Sequence, residues 1–63
     1  MFENLDPAFQ SLLCGFYARE DLEGMSIDEL IEMFEDDLAI HHGENPENDK
    51  KYWFILEELD SSV

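Results

Sequence analysis

The chain of 63 residues sets 17 acidic side chains against only Arg19, Lys50 and Lys51, a formal net charge of -14. A chain of this length buries only about 60% of its unfolded surface, which excludes a second core and a deep substrate cleft. With 44% hydrophobic and 13% aromatic residues it is too apolar for a disordered acidic tail, so one folded domain over residues 1–63 is expected, with a charged surface that repels nucleic acid and anionic membrane.

The opening "MFENLD" is acidic where a signal peptide needs positive charge, and the longest uncharged run, Pro7 to Ala18, is too short to span a bilayer. In "LDPAFQSLLCGFYARED", Asp6 is placed to cap a helix whose first residue is Pro7, where the missing N–H is harmless. Leu5, Phe9, Leu12, Leu13 and Phe16 fall on one stripe with Tyr17 beside it, and the spacing predicts a helix over about residues 7–19. Gly15 inside it suggests close backbone packing, since glycine costs a helix roughly 1 kcal/mol relative to alanine. Cys14 has no second cysteine to pair with, which suits a reducing cytosol.

"EDLEGM" reads as a polar connection. Ser26 with Glu29 three places on forms a capping box, and Met25 and Leu30 stand where a hydrophobic staple places them. The second helix is expected over residues 27–42, with Ile27, Leu30, Ile31, Phe34 and Leu38 inward and Gly43 as its terminator. In "ENPENDKKYWFILEELD", Asn45 and Pro46 repeat the punctuation, and Tyr52, Ile55, Leu56 and Leu59 share a stripe, so a third helix follows over residues 46–60. A strand through "KYWFIL" is the rival for residues 50–56, but a single strand has no partner here. The fold class is therefore all-α, a compact three-helix bundle with short connections.

Catalytic carboxylate pairs work only where burial or a neighbour splits their pKa values in a cleft, and this chain is too small to build one. It also lacks G-x-S-x-G, P-loop and dinucleotide fingerprints. The chain is expected not to be an enzyme and to use no cofactor. His41 and His42 are adjacent, so their imidazoles diverge by about 100° instead of converging on one metal ion. A calcium loop with Gly43 at its sixth position places Leu38 at the first ligand, so no metal site is expected.

The remaining feature is a row of acids. Asp28, Glu32, Glu35 and Asp36 follow i, i+4, i+7 and i+8 spacing opposite the apolar stripe, with Glu29 and Asp37 at its edges. Glu20, Asp21 and Glu23 extend the row from the preceding connection. Carboxylates recurring every 5 Å or so along a helix approach the charge density of a nucleic-acid strand. Solubility alone asks for a net charge magnitude of roughly 2 to 8 in a small domain, so the excess points to a basic protein partner. Trp53 and Phe54 lie off the core stripe, and Trp53 is a candidate apolar anchor in such an interface.

In size, charge and lack of catalytic motifs the whole chain resembles phage-encoded DNA-mimic inhibitors, including small anti-CRISPR proteins. Separately, "LLCGFY", "ED", "SIDELIEMF" and the closing "LEEL" are similar in order to short immunity proteins of contact-dependent growth inhibition systems, which bind and block a toxin. Both resemblances imply a stoichiometric inhibitor in a bacterial cytosol, whose partner is a basic nucleic-acid-binding protein, either a defence effector or a toxin. The interface residues expected on this reading are Asp28, Glu29, Glu32, Glu35, Asp36, Asp37, Glu20, Asp21 and Trp53. The further alternative is a small adaptor or oligomerisation module; the expected state is a monomer or weak homodimer.

Overall fold

In the computed structural model, which describes residues 2–61, a 3-10 turn at Phe2–Asn4 precedes four α-helices: α1 (Pro7–Cys14), α2 (Arg19–Glu23), α3 (Ile27–His41) and α4 (Pro46–Ser61). The described residues contain no strand. Residues 50–56 lie within α4, which settles them as helix.

Each long helix starts where side-chain oxygens can take up its orphan backbone donors. The Asp6 carboxylate accepts from the N–H of Ala8 (3.0 Å) and Phe9 (3.4 Å), with Pro7 at the first position. Both halves of the Ser26–Glu29 capping box form: the Glu29 N–H donates to Ser26 Oγ (3.2 Å) and the Ser26 N–H to Glu29 Oε1 (3.0 Å). Ahead of α4, the Glu47 N–H donates to Asn45 Oδ1 (3.0 Å). The α3–α4 turn passes through Gly43 at φ +88°, the left-handed region, and the Gly43 N–H is held by Asp49 Oδ2 (3.0 Å).

The first expected helix is the main correction to the three-helix reading. It stops at Cys14: Gly15 caps it in αR geometry, the N–H of Phe16 and that of Tyr17 both donate to the Leu13 carbonyl, and Ala18 is extended. A Cβ on Gly15 meets only the carbonyls of Leu12 (3.2 Å) and Ser11 (4.0 Å), so no other element approaches there and the close-packing expectation fails. The turn instead aims Phe16 and Tyr17 at the core. Phe16 packs on Phe34 (5.8 Å, edge-to-face) and Tyr52 (4.9 Å), and Tyr17 on Phe34 (5.6 Å, edge-to-face). Such ring pairs add roughly 0.5–1.5 kcal/mol each beyond area burial.

The supposed polar connection is α2, a five-residue helix that delivers fully buried Leu22 to the core. Arg19 and Glu23 pair along it at 2.9 Å. Phe2 is also fully buried. Its turn is clamped by Gln10, whose side-chain amide donates to the carbonyls of Phe2 (3.1 Å) and Leu5 (2.8 Å), and the Arg19 guanidinium lies 5.2 Å from the Phe2 ring centroid.

The core joins Phe2, Phe9, Leu13 and Leu22 to Ile27, Leu30, Phe34 and Leu38 of α3 and Tyr52, Ile55 and Leu59 of α4. Leu5, Leu12, Phe16, Met25, Ile31 and Leu56 pack around it half-buried. The most extensive helix–helix packing is α3 on α4, while α2 packs on α1 and the N-terminal turn. The radius of gyration is 11.0 Å, against about 10.6 Å for a compact domain of this length. Among the described residues no helix is long and apolar enough to cross a membrane.

Candidate functional site

The outward side of α3 is fixed by its inward one. With Ile27, Leu30, Phe34 and Leu38 buried, a period of 3.6 residues turns Asp28, Glu32 and Asp36 to the opposite side, and all three are exposed. Glu29 and Glu35 flank them, also exposed. Among the described residues no lysine or arginine pairs with any of the five. From Asp28 to Asp36 the helix rises about 12 Å, so the three outward carboxylates follow one another at about 6 Å of axis, roughly half the linear charge density of a DNA strand with its one charge per 3.4 Å or so.

The expected row does not stay in one piece. Glu29, Glu32 and Asp36 line a shallow depression of about 310 Å³ with Met25 and Met33. Glu35 turns the other way, into a groove of about 540 Å³ between α3 and α4 lined also by Ile31, Trp53, Leu56, Glu57 and Asp60. Glu29 is held by the capping box, and its hydrogen bonds from the Ser26 backbone, then the Ser26 side chain, lower its pKa below the usual carboxylate value. Asp37 is half-buried and accepts a hydrogen bond from the Tyr17 hydroxyl, so its carboxylate serves the fold. Glu20 and Asp21 are exposed on α2, in the packing unit of α1 and the N-terminal turn.

Trp53 is 60% exposed and Phe54 49%. They leave α4 on different sides: Trp53 walls the α3–α4 groove, while Phe54 packs edge-to-face on Phe9 at 6.2 Å. Ile40, 68% exposed on α3, is one turn beyond Asp36 and was not singled out from the sequence. Glu57 and Asp60 were also missed, although their spacing of four and seven residues from Trp53 puts all three on one stripe of α4.

The two imidazoles diverge. His41 Nδ1 lies 3.2 Å from a Glu44 carboxylate oxygen and His42 Nδ1 lies 3.3 Å from Asp49. Among the described residues no group of three or more His, Cys, Asp or Glu side chains is placed to hold a metal ion.

Comparison with protein-family models, curated proteins and solved structures finds no match to the chain.

Proposed function

We propose that the chain is a non-catalytic, stoichiometric inhibitor that occupies the basic nucleic-acid-binding surface of a protein partner by displaying carboxylates where that partner binds phosphates. An anti-defence protein of phage origin, of the anti-CRISPR type and acting in the bacterial cytosol, is the setting that suits this activity best. The observation that carries the reading is the exposed row Asp28, Glu32 and Asp36, flanked by Glu29 and Glu35, with no lysine or arginine of the described chain to neutralise it.

Beyond its first turn, where Asp28 faces the positive end of the helix dipole and Glu29 closes the capping box, the fold gains nothing from this row. Like charges at i and i+4 on a helix are destabilising by a few tenths of a kcal/mol per pair, and the net charge of -14 adds self-repulsion. A basic groove reverses the sign: each lysine or arginine it contributes meets a carboxylate, and the counterions of both surfaces are released.

The test is capture of partners from bacterial lysate on the immobilised chain, at low and high salt, followed by displacement with a duplex oligonucleotide. The reading expects a basic nucleic-acid-binding protein that both salt and oligonucleotide release, and that the triple variant Asp28→Asn/Glu32→Gln/Asp36→Asn fails to hold. If that variant retains its partner and oligonucleotide displaces nothing, the mimicry reading is lost.

A further inference from the structure

We propose that the groove between α3 and α4 seats an arginine side chain of the basic partner, and so fixes where on the acidic surface that partner docks. This rests on the function proposed above and adds its point of specificity.

The groove offers three kinds of contact together. Its apolar lining is half-buried Ile31 from α3 and half-buried Leu56 from α4. Trp53 lines it with an indole that is 60% exposed. Its acids are Glu35 from α3 and Glu57 and Asp60 from α4, all exposed. None of the three acids is paired with a lysine or arginine of the described chain.

Arginine matches this combination part by part. Its methylene stem covers aliphatic surface, its planar guanidinium stacks on an indole, and its fixed fork of N–H donors matches carboxylates two at a time. Lysine satisfies the charge but neither stacks as a plane nor donates in a fork. A second copy of the chain fits worse, because it brings another molecule of net charge -14 against the same acids. An uncharged apolar helix desolvates Glu35, Glu57 and Asp60 with nothing to pair them.

Trp53 is the only tryptophan in the chain, so its emission reports occupancy of the groove directly. The probe is a short helical peptide of alanine, leucine and arginine, compared with the same peptide carrying lysine at every arginine position. Binding is read by Trp53 emission and by calorimetry, with sedimentation of the full chain run alongside. The arginine peptide is expected to shift and quench the emission and to bind roughly tenfold tighter than the lysine peptide. Trp53→Ala and Glu57→Gln/Asp60→Asn are each expected to weaken it by a similar factor, with circular dichroism unchanged because these side chains are exposed. Asp28→Asn/Glu32→Gln/Asp36→Asn should weaken the arginine and lysine peptides alike and leave the emission response intact.

Equal affinity for the two peptides, or parental binding by Trp53→Ala, overturns the groove while leaving the charge-based function standing. Parental binding by the α3 triple variant together with loss in the groove variants does the reverse, keeping the groove and removing the mimicry. A dimer that Trp53→Ala dissociates also overturns the arginine seat, since a second copy then fills the groove.

Discussion

The Tyr17 hydroxyl donates to the Asp37 carboxylate across 20 residues of sequence. Tyr17 sits in the turn between α1 and α2, and its ring stands edge-on to Phe34 at 5.6 Å. One side chain therefore ties the turn to α3 twice, by its ring and by its hydroxyl. Of the acids on α3, Asp37 has its charge directed inward by this bond, which separates it from Asp28, Glu32 and Asp36.

Tyr17→Phe keeps the ring contact and removes the hydrogen bond. A hydrogen bond to a charged group contributes about 1.5–3 kcal/mol, and half-burial favours the lower end. Urea unfolding should show a loss of about 1.5 kcal/mol, and Asp37→Asn, which keeps an acceptor, should lose less. Partner binding by Asp37→Asn should be unchanged once both proteins are compared fully folded. An unaltered unfolding midpoint for Tyr17→Phe counts against any structural role for the bond.

What the sequence makes legible divides along local and tertiary lines. Asp6, Ser26 with Glu29, and Asn45 mark three helix starts because capping chemistry is confined to a few neighbouring residues. The inward and outward faces of α3 follow from its period alone. The break after Cys14 is open to misreading: Gly15, which caps α1, is a terminator that also passes for an interior glycine because Phe16 continues the apolar stripe, and Ala18, the α2 cap, offers no side-chain hydrogen bond. Phe34 and Tyr52, far along the chain, are what draw Phe16 and Tyr17 out of the helix. Leu22 escapes notice because five residues are too few to show a period, and Phe2 because it precedes any periodic segment. The groove depends on how α3 and α4 face each other, so Trp53 stands out by type while Glu57 and Asp60 look like ordinary solvated acids.

Phe2 supplies a second test. Residues so near a terminus usually contribute little, yet this ring is fully buried with its turn clamped by Gln10. Phe→Ala in a core costs about 3–5 kcal/mol, while a domain of this size has roughly 3–9 kcal/mol of total stability. Phe2→Ala should therefore remove about a third or more of the total stability and lower the melting temperature sharply by circular dichroism, with unfolding at room temperature if the parent lies at the low end of that range. Phe54→Ala, at a ring that is 49% exposed, should lose well under half as much. A fully folded Phe2→Ala variant with a parental melting temperature would show that the N-terminal turn adds nothing to the core.

The capping box links stability to acidity. The Ser26 backbone and side-chain hydrogen bonds lower the Glu29 pKa from its ordinary 4.5. A carboxylate with a depressed folded-state pKa adds stability above its unfolded pKa, and that stability is lost as pH falls through the folded value. Glu29→Gln should therefore remove part of the acid-side slope of stability between the ordinary carboxylate range and lower pH, read by urea unfolding at a series of pH values. Ser26→Ala, which removes the other half of the box, should cost about 1 kcal/mol near neutrality. Identical acid-side slopes for the parent and Glu29→Gln would assign the acid sensitivity to other carboxylates.

At the alkaline end one contributing group is Tyr52 of α4, 7% exposed. Burial first, then the negative charges of Asp37, Asp49 and Glu44, raise its phenol above the ordinary value of 10.0, since each disfavours the phenolate. Above that ordinary value the unfolded chain releases the proton while the folded chain still holds it. Stability is therefore full below pH 10 and falls as pH rises toward the folded value. The parent should lose stability through this window, and Tyr52→Phe, with no proton to release, should follow a shallower decline. Phenolate absorbance gives the independent reading: the ionisation step that Tyr52→Phe removes from the parent should lie above that of a free phenol and coincide with unfolding. A Tyr52→Phe variant whose alkaline limb superimposes on the parent's would mean that the lysines and the general self-repulsion of the acidic surface govern that limb, with Tyr52 a bystander in the core.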